Sequence, residues 1–369
     1  MNDLYPGNLG VADGIALVFG IVMPRVFLST ISNLIQQDGS ILWLAMVIYT
    51  IIPLIILYMM AYVHKGITGD IFMVCQKLIG TIGAWGILLS YSIMFLSNGA
   101  LILRLYSEYT LLTALPRVEF QVVIVWYAVS AGILCYLGIE ALTRTSYIVM
   151  PFSIAAIGMI LLLLIPFYVV YNLTPWQGNG VMQAVQTGIK GAGYNVGVLA
   201  LVFLAPAFQN TRTIKKAALY ALSYAGMLRV SFILVYTMIF GNAVGAEKTM
   251  PLFELARLVY LNQYLQRIEA LFIVVWVVFG LLAVAGSLYV GLYLLAVLLK
   301  LPTLRPIVPL GAILIANLAM MPPDIGYVLE VDQKLIMLFD VGIYVFPALL
   351  FIMAWWKKRR GKLCTSASY

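Results

Sequence analysis

Apolar runs of about twenty residues or more recur along this 369-residue chain, and they narrow its possible folds sharply. A helix rises about 1.5 Å per residue, so about 20 apolar residues cross the roughly 30 Å of hydrocarbon in a bilayer. Within that layer the backbone has to satisfy its own hydrogen bonds, which admits helices and closed barrels only. Barrel strands are about 10 residues long and alternate in polarity; these runs are longer and apolar throughout. The chain is 63% hydrophobic and 10% charged, where a soluble domain is about half and a quarter. The fold class that follows is an all-α integral membrane protein.

Ten transmembrane helices are expected, over 11–35, 41–63, 79–107, 120–139, 145–170, 183–209, 214–241, 268–299, 306–321 and 334–356. They would form one domain, 1–356, followed by a basic tail, 357–369. On the side of the two termini the loops and tail carry most of the Lys and Arg, including Lys65, Lys77, Arg144, Lys215, Arg305 and the run Lys357–Arg360. The opposite side carries fewer: Arg117, Lys190, Lys248, Arg257, Arg267 and Lys334. The positive-inside rule then predicts both termini in the cytoplasm. The net charge of +8 sits at span ends rather than on one soluble face, so the partner it indicates is the lipid bilayer and not nucleic acid. No Lys or Arg precedes the first span, so no cleavable signal peptide is expected. Cys75, Cys135 and Cys364 show neither a disulfide framework nor metal-ligand spacing, and no cofactor is expected.

The first span is interrupted by Gly20-Ile21-Val22-Met23-Pro24-Arg25. Proline lacks the amide that a helix interior needs and disfavours the α conformation at the residue before it, yet it suits the first position of a new helix. Two half-helices are therefore predicted, the second starting at Pro24. Its free amides and positive dipole end would face a cavity that takes a carboxylate, with Arg25 adding charge. A kink with a snorkelling arginine is the plainer alternative. Span six holds Lys190-Gly191-Ala192-Gly193-Tyr194-Asn195-Val196-Gly197 and then Pro206, which weakens that helix as well; close helix packing is its plainer alternative. Five crossings separate the two breaks, so the spans run in opposite directions. That is the signature of a 5+5 inverted repeat, about 11–170 and 183–356, with a binding site between discontinuous helices 1 and 6.

Other residues are polar where lipid would leave them unpartnered. Asn98 in span three is a candidate for the cavity, and Tyr91 lies in the same span. Arg104 and Glu108 are four apart and predict a local ion pair. Span eight presents Gly280, Ala283, Ala285, Gly286 and Ser287, a small-residue face for close approach to span one. Asp340 in span ten would line water or pair with Arg25 or Arg229. His64 is expected at a solvated interface, and 64–80 as an amphipathic stretch lying in it. The segment 242–267 looks partly helical and would cap the cavity as a lid. Catalysis is not expected, because no HExxH, GxSxG or P-loop pattern is present.

A series of motifs then resembles a known family. It comprises Met23-Pro24-Arg25, Met250-Pro251-Leu252-Phe253-Glu254-Leu255-Ala256-Arg257, Arg267-Ile268-Glu269-Ala270-Leu271, Val275-Trp276 and Met321-Pro322-Pro323-Asp324, in order, followed by the basic tail. The series resembles the spore germination permeases, the integral-membrane B subunits of nutrient germinant receptors, a branch of the amino acid–polyamine–organocation superfamily with the LeuT fold. The resemblance implies a spore inner-membrane sensor that binds a small germinant, often an amino acid, and works with A and C subunits, possible ion release included. Carried over by position, its ligand pocket would comprise Gly20, Val22, Met23, Pro24, Arg25, Asn98, Asn195, Gly197, Val198, Leu199, Ala283 and Ser287. A polar ion or water passage would continue past Tyr91, Met94 and Asp340. Many members carry a glutamate after the span-six glycine; this chain has Val198, Leu199 and Ala200, which shifts the polar load to Asp340. A small neutral amino acid fits the apolar neighbours. The other reading is an H+- or Na+-coupled amino acid transporter of the same superfamily.

Overall fold

The computed structural model describes residues 9–27, 30–64, 70–259 and 268–360. Lys65 and the middle of the stretch 64–80, the lid residues 260–267 and the tail from 361, with Cys364, lie outside the described residues. In chain order the α-helices are α1 (Val11–Val22), α2 (Thr30–Asp38), α3 (Leu42–His64), α4 (Ile71–Thr113), α5 (Phe120–Leu137), α6 (Ile139–Leu163), α7 (Val181–Lys190), α8 (Ala200–Phe203), α9 (Thr211–Glu247), α10 (Pro251–Leu258), α11 (Ile268–Leu298), α12 (Val308–Met320) and α13 (Ile325–Arg359). Seven helical stretches among the described residues, built on α3, α4, α5, α6, α9, α11 and α13, are long and apolar enough to cross a bilayer. The other three segments expected to cross are the two interrupted ones and the 13-residue α12.

Both interruptions are present. α1 begins beside Asp13, whose carboxylate accepts from the Gly10 amide at 2.9 Å, and ends at Val22. A 3-10 stretch, Met23–Phe27, follows, and α-helix is present again at Thr30. The second half was expected to start at Pro24; instead Pro24 lies inside the 3-10 stretch, where its fixed φ is tolerated and its missing amide is no loss. In the other segment α7 gives way to a 3-10 stretch, Gly191–Leu199, before α8. From Leu17 to Val22 every residue of α1 is buried, as an all-apolar helix has to be. It packs on α6, α9 and α11, while α5 and α6 turn residues such as Trp126, Ile133 and Phe152 outward.

Close approach runs through glycines. A Cβ at Gly286 in α11 would lie 2.5 Å from Ile21, and one at Gly280 would sit inside the Tyr106 ring. The small-residue face of span eight thus brings α11 against both α1 and α4. Elsewhere, Gly80 at φ 84° turns α4 away from its first two turns, which are the amphipathic stretch read from the sequence. His64 was expected in solvent but is half-buried, with Nε2 enclosed and without a hydrogen bond. α13 starts nine residues before the expected 334 because Asp324 caps it, accepting from the Tyr327 amide at 2.8 Å. The segment expected to act as a lid is helical at α10, and Ser32 of α2 donates to the Lys248 carbonyl beside it.

Candidate functional site

A broken helix leaves carbonyls that have to find other donors. At the first break the Val22 carbonyl accepts from Arg229 Nη2 at 3.0 Å, and the Pro24 carbonyl from the Tyr106 hydroxyl at 2.8 Å. Arg229 comes from the middle of α9 and is 2% exposed. Its Nη1 donates to Asn195 Oδ1 at 2.9 Å, and the Asn195 amide donates to the Tyr49 carbonyl at 2.8 Å. One guanidinium therefore joins the two breaks, with its charge at the negative end of the α1 dipole.

Arg25 builds a second network one turn on. Its Nη1 pairs with Asp332 Oδ1 at 2.9 Å. Nη2 and Nε both donate to Asn98 Oδ1, at 2.6 and 3.3 Å. Asn98 Nδ2 in turn donates to Ser287 Oγ at 2.9 Å. The guanidinium lies over the Tyr194 ring at 4.8 Å. Of the residues expected to form the pocket, Arg25, Asn98 and Ser287 thus meet directly, and Val22 and Asn195 meet through Arg229. Gly20 abuts Ser146 of α6, and Gly197 abuts Ile21 so closely that a Cβ there would lie 2.6 Å away. Met23, Val198, Leu199 and Ala283 are buried apolar packing around this polar centre.

The cavity expected beside the break is small. It measures about 20 Å³ and is lined by Arg25, Tyr49, Tyr194 and Arg229, with Ile31, Leu34, Met46 and Ile233 as apolar walls. That is room for about one water, so the described conformation is closed around the centre. Tyr194 and Leu34 also line a cavity of about 410 Å³ at the end of the bundle away from the basic tail, called the outer end here. Asn33, Gln37, Gln183, Gln186 and Gln333 give it carboxamides, and Lys190, Asp332 and Asp340 give it charge. The Arg25–Asp332 pair therefore stands between the outer cavity and the breaks.

Of the two arrangements expected for Asp340, the structure has it lining the outer cavity and not paired with Arg25 or Arg229: its Oδ1 accepts from the Gly193 amide at 2.8 Å, and unwinding of the Gly191–Leu199 stretch leaves that amide available. Tyr91 and Met94 lie against α13 in packed core. The Tyr91 hydroxyl donates to the Gly342 carbonyl at 2.7 Å, and Met94 presses on Gly342. Gly342 admits α4 closely there, and both side chains are buried. Arg104 and Glu108 pair at 2.7 Å as their spacing predicts.

Sequence reasoning missed Asp332, Tyr49 and Tyr194. The signal for Asp332 was available, since Asp332, Ile336 and Asp340 are four apart and share one helix face, provided the helix starts early enough to include them.

The chain matches the spore permease family, described as "Spore germination protein", over residues 9–325. It is 22% identical over 298 residues to "Spore germination protein KB" of Bacillus subtilis (strain 168), covering 77% of this chain and 78% of that one. Three solved transporters are similar in fold. A Na+-coupled sialic acid symporter in a substrate-bound outward-open state superposes with a TM-score of 0.67 at 13% identity, covering 93% of this chain and 81% of that one. MHP1, a nucleobase-cation-symport-1 family transporter in a closed conformation with bromovinylhydantoin bound, gives 0.66 at 15% identity, covering 91% and 77%. MhsT in complex with L-phenylalanine gives 0.58 at 12% identity, covering 92% and 97%. With two broken helices meeting at a buried polar centre on this LeuT-like fold, the chain belongs to the spore germination permease family.

Proposed function

We propose that this protein is the membrane B subunit of a spore nutrient germinant receptor, with a small amino acid as its germinant. The ligand enters from the outer cavity, its carboxylate draws Arg25 from Asp332, and its side chain settles among Asn98, Ser287 and the apolar residues around the two breaks. The shift of the broken segments passes to A and C subunits in the spore inner membrane, with both termini cytoplasmic. The observation that carries this reading is the Arg25 network. A buried cation is held by one carboxylate and one carboxamide where the outer cavity meets the two breaks. A ligand carboxylate can offer the guanidinium two parallel bonds, where Asp332 offers one through Oδ1. Binding that favours one arrangement of the segments shifts the population toward it.

A second reading, a cation-coupled amino acid transporter, has its support in the likeness to three solved transporters. One pair of measurements separates the two. The purified chain is screened with amino acids for thermal stabilisation, then reconstituted in vesicles and tested for counterflow of the labelled hit. Saturable stabilisation without counterflow supports the receptor, and counterflow supports the transporter. Arg25→Ala spores that hold normal levels of folded protein and germinate normally would retire both.

A further inference from the structure

Charge at the junction of the broken helices does not balance locally. Two guanidinium groups, Arg25 and Arg229, line one small cavity, and both residues are at most 5% exposed. Among the described residues, Arg25 has Asp332 as its ion-pair partner and Arg229 has no carboxylate within 4.0 Å. The named acceptors of Arg229 are neutral, the Asn195 carboxamide and the Val22 carbonyl, and its planar face lies on the Tyr49 ring at 4.7 Å. Asp340, a further acid of α13, is held by the Gly193 amide and lines the outer cavity. A guanidinium has five N–H donors, and those two hydrogen bonds use two of them. A buried cation without a counter-charge is strongly unfavourable, and stays only if something compensates it.

We propose that the closed form holds one compact monovalent anion in the cavity between Arg25 and Arg229. Size and walls select the class. At about 20 Å³ the cavity admits a single water-sized body, which suits a halide or the carboxylate head of a small ligand and shuts out phosphate esters. The polar lining consists of two guanidinium groups and two tyrosines, against the apolar walls Ile31, Leu34, Met46 and Ile233, so its charge favours an anion over a neutral water. The Tyr194 and Tyr49 rings lie 4.8 and 4.7 Å from the Arg25 and Arg229 guanidinium carbons and line the same cavity. The two sources share one chemistry; the carboxylate source rests on the germinant reading above, whereas the halide source does not.

The test uses the full chain, purified in detergent and exchanged from chloride into gluconate, which is too large to enter. Chloride or bromide titrated back raises the melting temperature saturably, and radiolabelled chloride binds at one per chain. Arg229→Gln weakens that binding about thirtyfold or more, while Lys215→Gln, whose ammonium lies over the Tyr58 ring at 5.2 Å and lines neither cavity, leaves it unchanged. If Arg229→Gln does not fold, Ile233→Phe fills the cavity without altering charge and abolishes binding. Absence of saturable chloride binding in the unaltered chain overturns the proposal, as does undiminished binding in Arg229→Gln. Glycine and glycinamide then distinguish the sources. Competition by glycine alone assigns the place to a ligand carboxylate. Chloride binding without competition keeps the anion site as a halide site and counts against the germinant reading, so the two failures are separable.

Discussion

Asp332 holds Arg25 in a region with almost no exposed surface, and the pair behaves as buried ion pairs do. Removing one partner strands the other charge, which costs about 3–5 kcal/mol, whereas replacing both by apolar residues is close to neutral. Asp332→Asn is therefore expected to lower the denaturation midpoint strongly, and Arg25→Met with Asp332→Leu to recover most of the loss. A double-mutant cycle in detergent checks this; additive losses would show that the pair is not coupled. Arg25 and Asn98 were legible in the sequence because a polar side chain in an apolar run has to find a partner or a cavity. Their partner was not legible, because Asp332 appeared to precede the membrane. Only the cap at Asp324, two turns upstream, carries α13 past it. Asp340 was legible as a residue that lines a cavity or meets a cation; the Gly193 amide that holds it was not, because only unwinding of the span-six stretch presents that amide.

The elements keep their breaks by different means. Pro24 announces the first, but the Val22 and Pro24 carbonyls are held from outside by Arg229 and Tyr106. Pro24→Ala is thus expected to leave the 3-10 stretch in place and to change stability by less than about 1 kcal/mol. Amide exchange over 23–27 should stay faster than in α1; protection rising to the α1 level would mean that proline alone enforces the break. Tyr106 has the opposite sensitivity. It stacks on Trp276 at 4.8 Å, and Gly280 makes room for its ring. Gly280→Ala should displace the ring, release the Pro24 carbonyl and destabilise by about 1–3 kcal/mol, read as a lower melting temperature that Tyr106→Ala no longer shares additively. The breaks themselves could be read from proline and clustered glycine. The size of the gap beside them could not, because it depends on how far aromatic side chains from α3 and the span-six stretch fold over it.

At the scale of the whole molecule, the outer cavity and the run Lys357–Arg360 lie at opposite ends of the bundle, and that polarity can be measured. With Cys364→Ser as background, Gln186→Cys and Gln333→Cys are expected to react with a membrane-impermeant maleimide from outside intact vesicles, and Ser92→Cys, fully buried, from neither side. Labelling of the two cavity positions only after the inner face is exposed would reverse the orientation. The helical membrane class and the opposed broken segments followed from run lengths and parity. How those segments are joined did not, since hydrogen bonds between residues distant in sequence hold them at three heights. Thr187 donates to Asp38 at 2.8 Å at the outer end, the Leu9 amide donates to the Ala207 carbonyl at 2.9 Å at the other, and Arg229 spans the middle. Fastened at three heights, neither broken segment meets the other at one point only, so a load placed on the first is shared with the second along its length.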